Sequence, residues 1–183
     1  NGIPVHMDGA RIFNAAVALG VDAKEIAACA DSVMFCLSKG LAAPVGSMVA
    51  GTKEFIEKAR KNRKLMGGGM RQAGVLAAAG IIALEKMTKR LHVDHENAAY
   101  LADQLSRIPG VNVKANRLDI NMVFFEMGPD VIPEQKLIDY FLKNGIKISG
   151  PEDGDWRFVS NVNVTREDID FVLKKFRECL GIE

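Results

Sequence analysis

Two residues of this chain sit where their side chains could do covalent chemistry. Asp8 closes the apolar run PVHMD and is followed by a glycine and a helical stretch; Lys39 closes the run SVMFCLS and is followed by Gly40. Open α/β sheets present ligand groups at the carboxyl ends of their strands, and a glycine there lets the backbone turn sharply beside a ligand. Desolvation at such a mouth disfavours the ammonium form of a lysine, and the neutral amine can bond to a carbonyl carbon. Arg11 lies three residues beyond Asp8, so a helix beginning near Asp8 turns both side chains toward one pocket. Each group also has an ordinary reading: Asp8 as a helix N-cap with Arg11 a surface charge, and Lys39 as a solvated lysine after a strand. The pair says more than either member. Pyridoxal phosphate chemistry requires a lysine amine to hold the aldehyde carbon and an acid near the ring nitrogen to keep it protonated. Asp8 and Lys39 supply both groups from neighbouring strand ends.

The elements that must position these groups alternate along the first half. Residues 4–8 read as a short buried strand, and ARIFNAAVALG (10–20) has apolar residues at helical spacing, closed by Gly20. Asp22 and Glu25 form a capping box for a short helix through Ala30. SVMFCLS (32–38) and GSMVAG (46–51) are the next strands; Thr52 caps the basic helix KEFIEKARKNRKLM, which runs into Gly67, Gly68 and Gly69. RQAGVLAAAGIIALEKM follows as a long helix crowded with small residues, as expected where a helix approaches a sheet closely. Strands separated by helices predict an α/β layer with at least partly parallel pairing.

The second half changes character. A charged helix over 93–108 leads to the strands VNVKA and INMVFFEM, then to the helix PEQKLIDYFLKNG with Pro133 in its first turn. IKIS and WRFVS read as two more strands, and a last helix is capped by Thr165 with Asp168 and stopped by Gly181. The expected organisation is a sheet domain over residues 1–90 and a small α+β domain over 91–183.

Bulk properties narrow the partner. The 183 residues are 48% hydrophobic and carry 24 Lys plus Arg against 23 Asp plus Glu, so no overall field favours nucleic acid or an anionic membrane, and a small molecule is expected. The longest apolar stretches, such as VLAAAGIIAL, are too short to cross a bilayer, and no basic region leads into a signal sequence; a cytoplasmic location is expected. Cys29, Cys36 and Cys179 show neither metal-ligand spacing nor an even disulfide set. His6 shares a strand side with Asp8 by alternation, and His92 and His95 fall in a polar helix; all three read as structural or solvated, with no metal set. The chain opens without an initiator Met directly into a strand-like run, and is expected to be a piece of a longer polypeptide.

HMDGARIFNAAVALG, ADSVMFCLSKGLAAPVGSMVAG and RKLMGGGMRQAGVLAAAGIIAL together closely resemble the low-specificity L-threonine aldolases of the β-eliminating lyase family. The resemblance runs along essentially the whole chain, which corresponds to the later part of a family member. It implies the aspartate aminotransferase (fold type I) architecture of PLP-dependent transferases, with pyridoxal 5'-phosphate as cofactor. It further implies cleavage of L-threonine, L-allo-threonine and related β-hydroxy-α-amino acids to glycine and an aldehyde by a homo-oligomer, dimer or tetramer. Other fold type I chemistry, elimination or transamination, and an inactive structural piece are the alternatives. By the resemblance Lys39 in SKG holds the cofactor aldehyde and Asp8 pairs with the pyridine nitrogen. Arg11 helps to hold the substrate carboxylate or the cofactor's phenolic oxygen, and Arg157 in WRFVS also clamps that carboxylate with its planar fork. Lys64 matches a basic residue lining the family's substrate site, and Gly67 to Arg71 shape a loop near the cofactor or a subunit contact. Where the family often has VTH, this chain has VSN, with Asn161 in place of the histidine. The ring-stacking histidine and several phosphate contacts belong to the preceding part of such a protein, and no residue here is assigned as the general base.

Overall fold

In the computed structural model, which describes residues 2–128 and 130–182, the first apolar run forms β1 (His6–Asp8) and pairs in parallel with β2 (Ser32–Cys36), His6 opposite Ser32 and Asp8 opposite Met34. Between them run α1 (Ile12–Leu19) and α2 (Ala23–Ala27). Gly20 ends α1 in the left-handed region at φ 67°, returning its N–H to the carbonyls of Ala16 and Val17, a conformation that a Cβ would oppose. The capping box of Asp22 and Glu25 starts α2 as the sequence predicts. β3 (Ser47–Gly51) adds antiparallel to β2, so the sheet order is β1-β2-β3 and the pairing is partly parallel. The hydroxyl of Thr52 accepts the Phe55 N–H to begin α3 (Lys53–Leu65), and α4 (Gly74–Glu85) follows the glycine run. Gly80 shows why α4 is rich in small residues: a Cβ there would stand 3.2 Å from Leu37 Cδ1.

The chain divides into two compact units between Leu91 and His92. The first has a small core, Leu37, Leu41, Ala43, Ala83 and Leu91, with Phe13 and Phe35 in edge-to-face contact beside it. Every residue of β3 is exposed, as are Val75, Ile81 and Ile82 on α4.

The second unit holds most of α5 (Leu91–Ser106), an antiparallel sheet β4 (Val111–Val113), β5 (Met122–Met127) and β6 (Trp156–Val159) in that order, α6 (Glu134–Lys143) and α7 (Arg166–Leu180). Alternation along β5 sends Val123 and Phe125 into the core, and Trp156, opposite Phe125 on β6, follows. The Phe125 ring lies 6.2 Å from Trp156, 5.3 Å from Phe158 and 6.2 Å from Phe176 on α7. Phe124 and Arg157 oppose each other on the other face of the same strands.

IKIS, expected to be a strand, does not join the sheet. The Ile146 N–H bonds the Phe141 carbonyl at the end of α6, and Ile146 and Ile148 pack on the core without a ladder partner, so the alternation reflects packing alone. Pro133 stands at the N-cap position rather than inside the first turn. Gln72, at φ 51°, delays the start of α4 to Gly74. The charged helix, read from residue 93, begins at Leu91.

Removing the Phe125 ring empties the centre of this aromatic group. Phe125→Ala is expected to cost the second unit about 3–5 kcal/mol, read as a lowered urea midpoint at unchanged m-value.

Candidate active site

Asp8 is the last residue of β1, and the hydrogen-bond ladder continues past it, with the Gly9 N–H on the Met34 carbonyl at 2.9 Å. This contact requires a glycine. A Cβ at position 9 would lie 2.9 Å from the Met34 oxygen and 2.9 Å from Val33 Cγ2. The exposed Asp8 carboxylate accepts the Ala10 N–H at 3.0 Å through Oδ1, a local turn that sets the side chain. α1 therefore starts at Ile12 rather than near Asp8, with Arg11 at its N-cap position, half-buried and in a non-helical conformation. The helical spacing argument for Asp8 and Arg11 does not apply, although both leave the same strand end.

Lys39 comes three residues after β2, in a turn closed by the Ala42 N–H on the Lys39 carbonyl at 2.9 Å. Ala42 sits at φ 57°, a left-handed conformation that costs a residue with a Cβ roughly 1–2 kcal/mol. Strain of this kind is tolerated where surrounding contacts hold it, and it gathers at functional sites. Those contacts begin with buried Gly40, where a Cβ would stand 3.0 Å from Asn14 Oδ1 on α1 and 3.3 Å from Leu91 Cδ2. The Lys39 ammonium is exposed and has no carboxylate partner among the described residues. Because β1 and β2 are parallel neighbours, Asp8 and Lys39 leave the sheet at the same edge, one from each strand.

The remaining candidates lie on other parts of the chain. His6 bonds the Ser32 hydroxyl at 2.8 Å and ties β1 to β2, the structural role expected of it. Lys64 lies in the last turn of α3, and the glycine run makes room for it: a Cβ at Gly69 would fall 2.7 Å from Lys64 Cδ. Arg157 is on β6 in the second unit, exposed, with no carboxylate or carbonyl on its guanidinium among the described residues. It lines a cavity of about 1050 Å³ with Arg117, Phe124 and Asp155. Asn161 accepts the Asn163 N–H at 2.9 Å and shapes the turn after β6. His95 is half-buried rather than solvated, and burial lowers its pKa below the usual histidine value.

Sequence reading missed a buried polar lock behind Arg157. The Ser160 hydroxyl donates to the Asp94 carbonyl at 2.7 Å, the Asn121 amide donates to the Ser160 carbonyl at 2.6 Å, and the Ser160 N–H returns to the Asn121 carbonyl at 3.0 Å. All three residues are buried, and a polar residue adjoining an apolar strand was the available signal.

The beta-eliminating lyase family matches residues 1–127. This chain belongs to the beta-eliminating lyase family. As a member it is 40% identical over 181 residues to low-specificity L-threonine aldolase 1 of Arabidopsis thaliana, which covers 98% of this chain and 51% of the relative. The chain spans about half the length of the curated relatives it matches. Two solved structures share this family member's fold. One, provisionally described as an L-allo-threonine aldolase of Listeria monocytogenes, has TM-score 0.79 and 21% identity, covering 97% of this chain and 52% of that one. The other, a PLP-dependent aminotransferase of Streptococcus suis, has TM-score 0.67 and 17% identity, covering 96% and 53%. The architecture is therefore that of the fold type I PLP-dependent transferases, as the sequence led one to expect.

The strand-end geometry depends on Gly9. Gly9→Ala is expected to push β1 from β2 and destabilise the first unit by about 1–3 kcal/mol, measurable as faster amide exchange in β1 and β2 than in β5.

Proposed function

We propose that this chain is the later half of a pyridoxal-phosphate-dependent aldehyde-lyase that cleaves L-threonine, L-allo-threonine and related β-hydroxy-α-amino acids to glycine and an aldehyde. The reading is carried by one observation, that an acid and an amine leave neighbouring parallel strands at a common edge. The 40% identity to a low-specificity L-threonine aldolase supports the substrate class. Residues 1–90 are then the later part of the cofactor-binding domain and 91–183 the small domain. The exposed apolar residues of β3 and α4 support the first assignment, since a sheet of three strands leaves them without cover.

The donor set fits the cofactor. Among the described residues Lys39 has no competing carboxylate, and one oxygen of Asp8 accepts the Ala10 N–H, leaving the other for a pyridinium N–H. When bound, pyridoxal phosphate supplies a cationic ring that takes up the electron pair released as the Cα–Cβ bond breaks. Lys39 would hold the cofactor's aldehyde carbon through its side-chain amine. Asp8 would pair with the ring nitrogen and favour its protonated form. Arg157 grips the substrate carboxylate with two parallel N–H bonds, and Arg11 assists there or at the phenolic oxygen. Lys64 lines the substrate side. The protein works as a homo-oligomer in the cytoplasm; no helix among the described residues is long and apolar enough to span a membrane.

Tests belong in the protein carrying this chain at the length of its relatives. Lys39→Ala is expected to remove the protein-bound visible absorbance of the cofactor and lower glycine formation at least about a thousandfold; an unchanged spectrum refutes the assignment. Arg157→Ala is expected to raise the KM for L-threonine about 10–100-fold, the loss of a charged hydrogen-bond pair. Keto-acid formation in place of glycine and aldehyde would move the enzyme to the transaminating members of the fold. The 183-residue chain alone is expected to bind pyridoxal phosphate weakly or not at all and to be inactive, as titration with the cofactor will report.

A further inference from the structure

The sheet face that carries Arg157 has a charge arrangement of its own. Phe124 and Arg157 are directly opposed on β5 and β6, so their side chains are close neighbours on one face. A second guanidinium lies there too, with Arg117 Cζ 3.6 Å from the centroid of the Phe124 ring. Unlike Arg157, Arg117 is neutralised: its Nη1 is 2.7 Å from Asp155 Oδ2. Lys114 binds the same carboxylate and also reaches Glu126 at 2.6 Å. The Asp155 side chain is only 17% exposed and its carboxyl is held below the usual range by Lys114 first, then by Arg117, so it stays ionised. Three cations meet two carboxylates on this face, and the uncompensated charge is that of Arg157. Elsewhere in the cavity Glu152, Asp153 and Asp168 outnumber Lys147.

We propose that Asp155 determines specificity for substrates with one carboxylate, by neutralising Arg117 and leaving Arg157 as the guanidinium of that face, among the described residues, available to an anion. The proposal rests on Arg157 being the carboxylate clamp. A dicarboxylic β-hydroxy-α-amino acid brings a second negative charge to the cavity and finds its would-be partner already engaged. Loss of the Asp155 charge leaves Lys114 with Glu126 but strips Arg117 of its only carboxylate among the described residues, while the Phe124 ring keeps the guanidinium in place on that face.

The test compares kcat/KM for 3-hydroxyaspartate and L-threonine in the full-length holoenzyme. Asp155→Asn is expected to raise the ratio in favour of 3-hydroxyaspartate about tenfold or more, with the gain shrinking as ionic strength increases. Adding Arg117→Gln is expected to abolish the gain, and Asp155→Glu to keep the wild-type ratio. Arg117→Gln alone, which does not require replacing Asp155, is expected to lower the ratio severalfold. An unchanged ratio in folded, cofactor-loaded Asp155→Asn overturns the proposal. A gain that survives Arg117→Gln, or an unchanged ratio in Arg117→Gln alone, overturns it as well. If Arg157→Ala raises the KM for L-threonine while these ratios stay fixed, the clamp stands and the role of Asp155 alone falls. If Arg157→Ala leaves that KM unchanged, the clamp itself is wrong.

Discussion

The parallel pairing of β1 with β2 is the constraint on which the rest of the site depends. Parallel neighbours end at the same edge of a sheet, so residues leaving their carboxyl ends share a neighbourhood even when 31 positions separate them in the chain. Gly9 lets the ladder extend one residue past Asp8 because no Cβ meets the Met34 carbonyl. Gly40 does the equivalent for the Lys39 turn against Asn14. Two missing methyl groups thus set where an acid and an amine emerge.

The two units solve the burial problem differently. The second closes a core around Phe125, Phe141 and Phe176, each almost wholly buried, between an antiparallel sheet and three helices. Its aromatic rings supply large apolar area with few rotatable bonds, an efficient way to stabilise so small a sheet. The first unit has a smaller core cluster, Leu37, Leu41, Ala43, Ala83 and Leu91, and leaves β3 and much of α4 open. Arg157 gains from being built on the better-packed unit: Ser160 and Asn121 fix the far end of its strand by buried hydrogen bonds, and Asp155 anchors the near end through Lys114 and Arg117. The carboxylate clamp proposed for Arg157 gains from this rigidity, since a bidentate pair depends on angle as well as charge.

Charge placement follows the same economy. Lys39 and Arg157 lack carboxylate partners among the described residues. Lys114, Arg117 and Lys175, by contrast, are engaged in ion pairs that shape structure. An exposed basic side chain without a partner costs little in water and is free to meet a ligand, whereas a paired one is not.

Much of this was legible in the residues themselves. The helix starts at Asp22 and Thr165, the stops at Gly20 and Gly181, and the alternation of β5 follow from interactions within a few positions, and these local rules held. The motifs around Asp8 and Lys39 were long enough to indicate family and fold. Local pattern failed where a distant or competing partner decided the outcome. IKIS alternates like a strand, but its first N–H is taken by α6. Asp8 resembles a helix cap, but its carboxylate serves a turn that moves the helix start to Ile12. Nothing in the spacing of Arg117, Phe124 and Asp155 announces their cluster, nor that of Ser160 with Asn121 and Asp94. The sequence by itself determined where the capped helices begin and end and how β5 alternates, because backbone capping and side-chain alternation are short-range. Only the tertiary structure decided which charges are spent on one another and which are left for a ligand, because pairing depends on distances across strands that no one-dimensional spacing encodes.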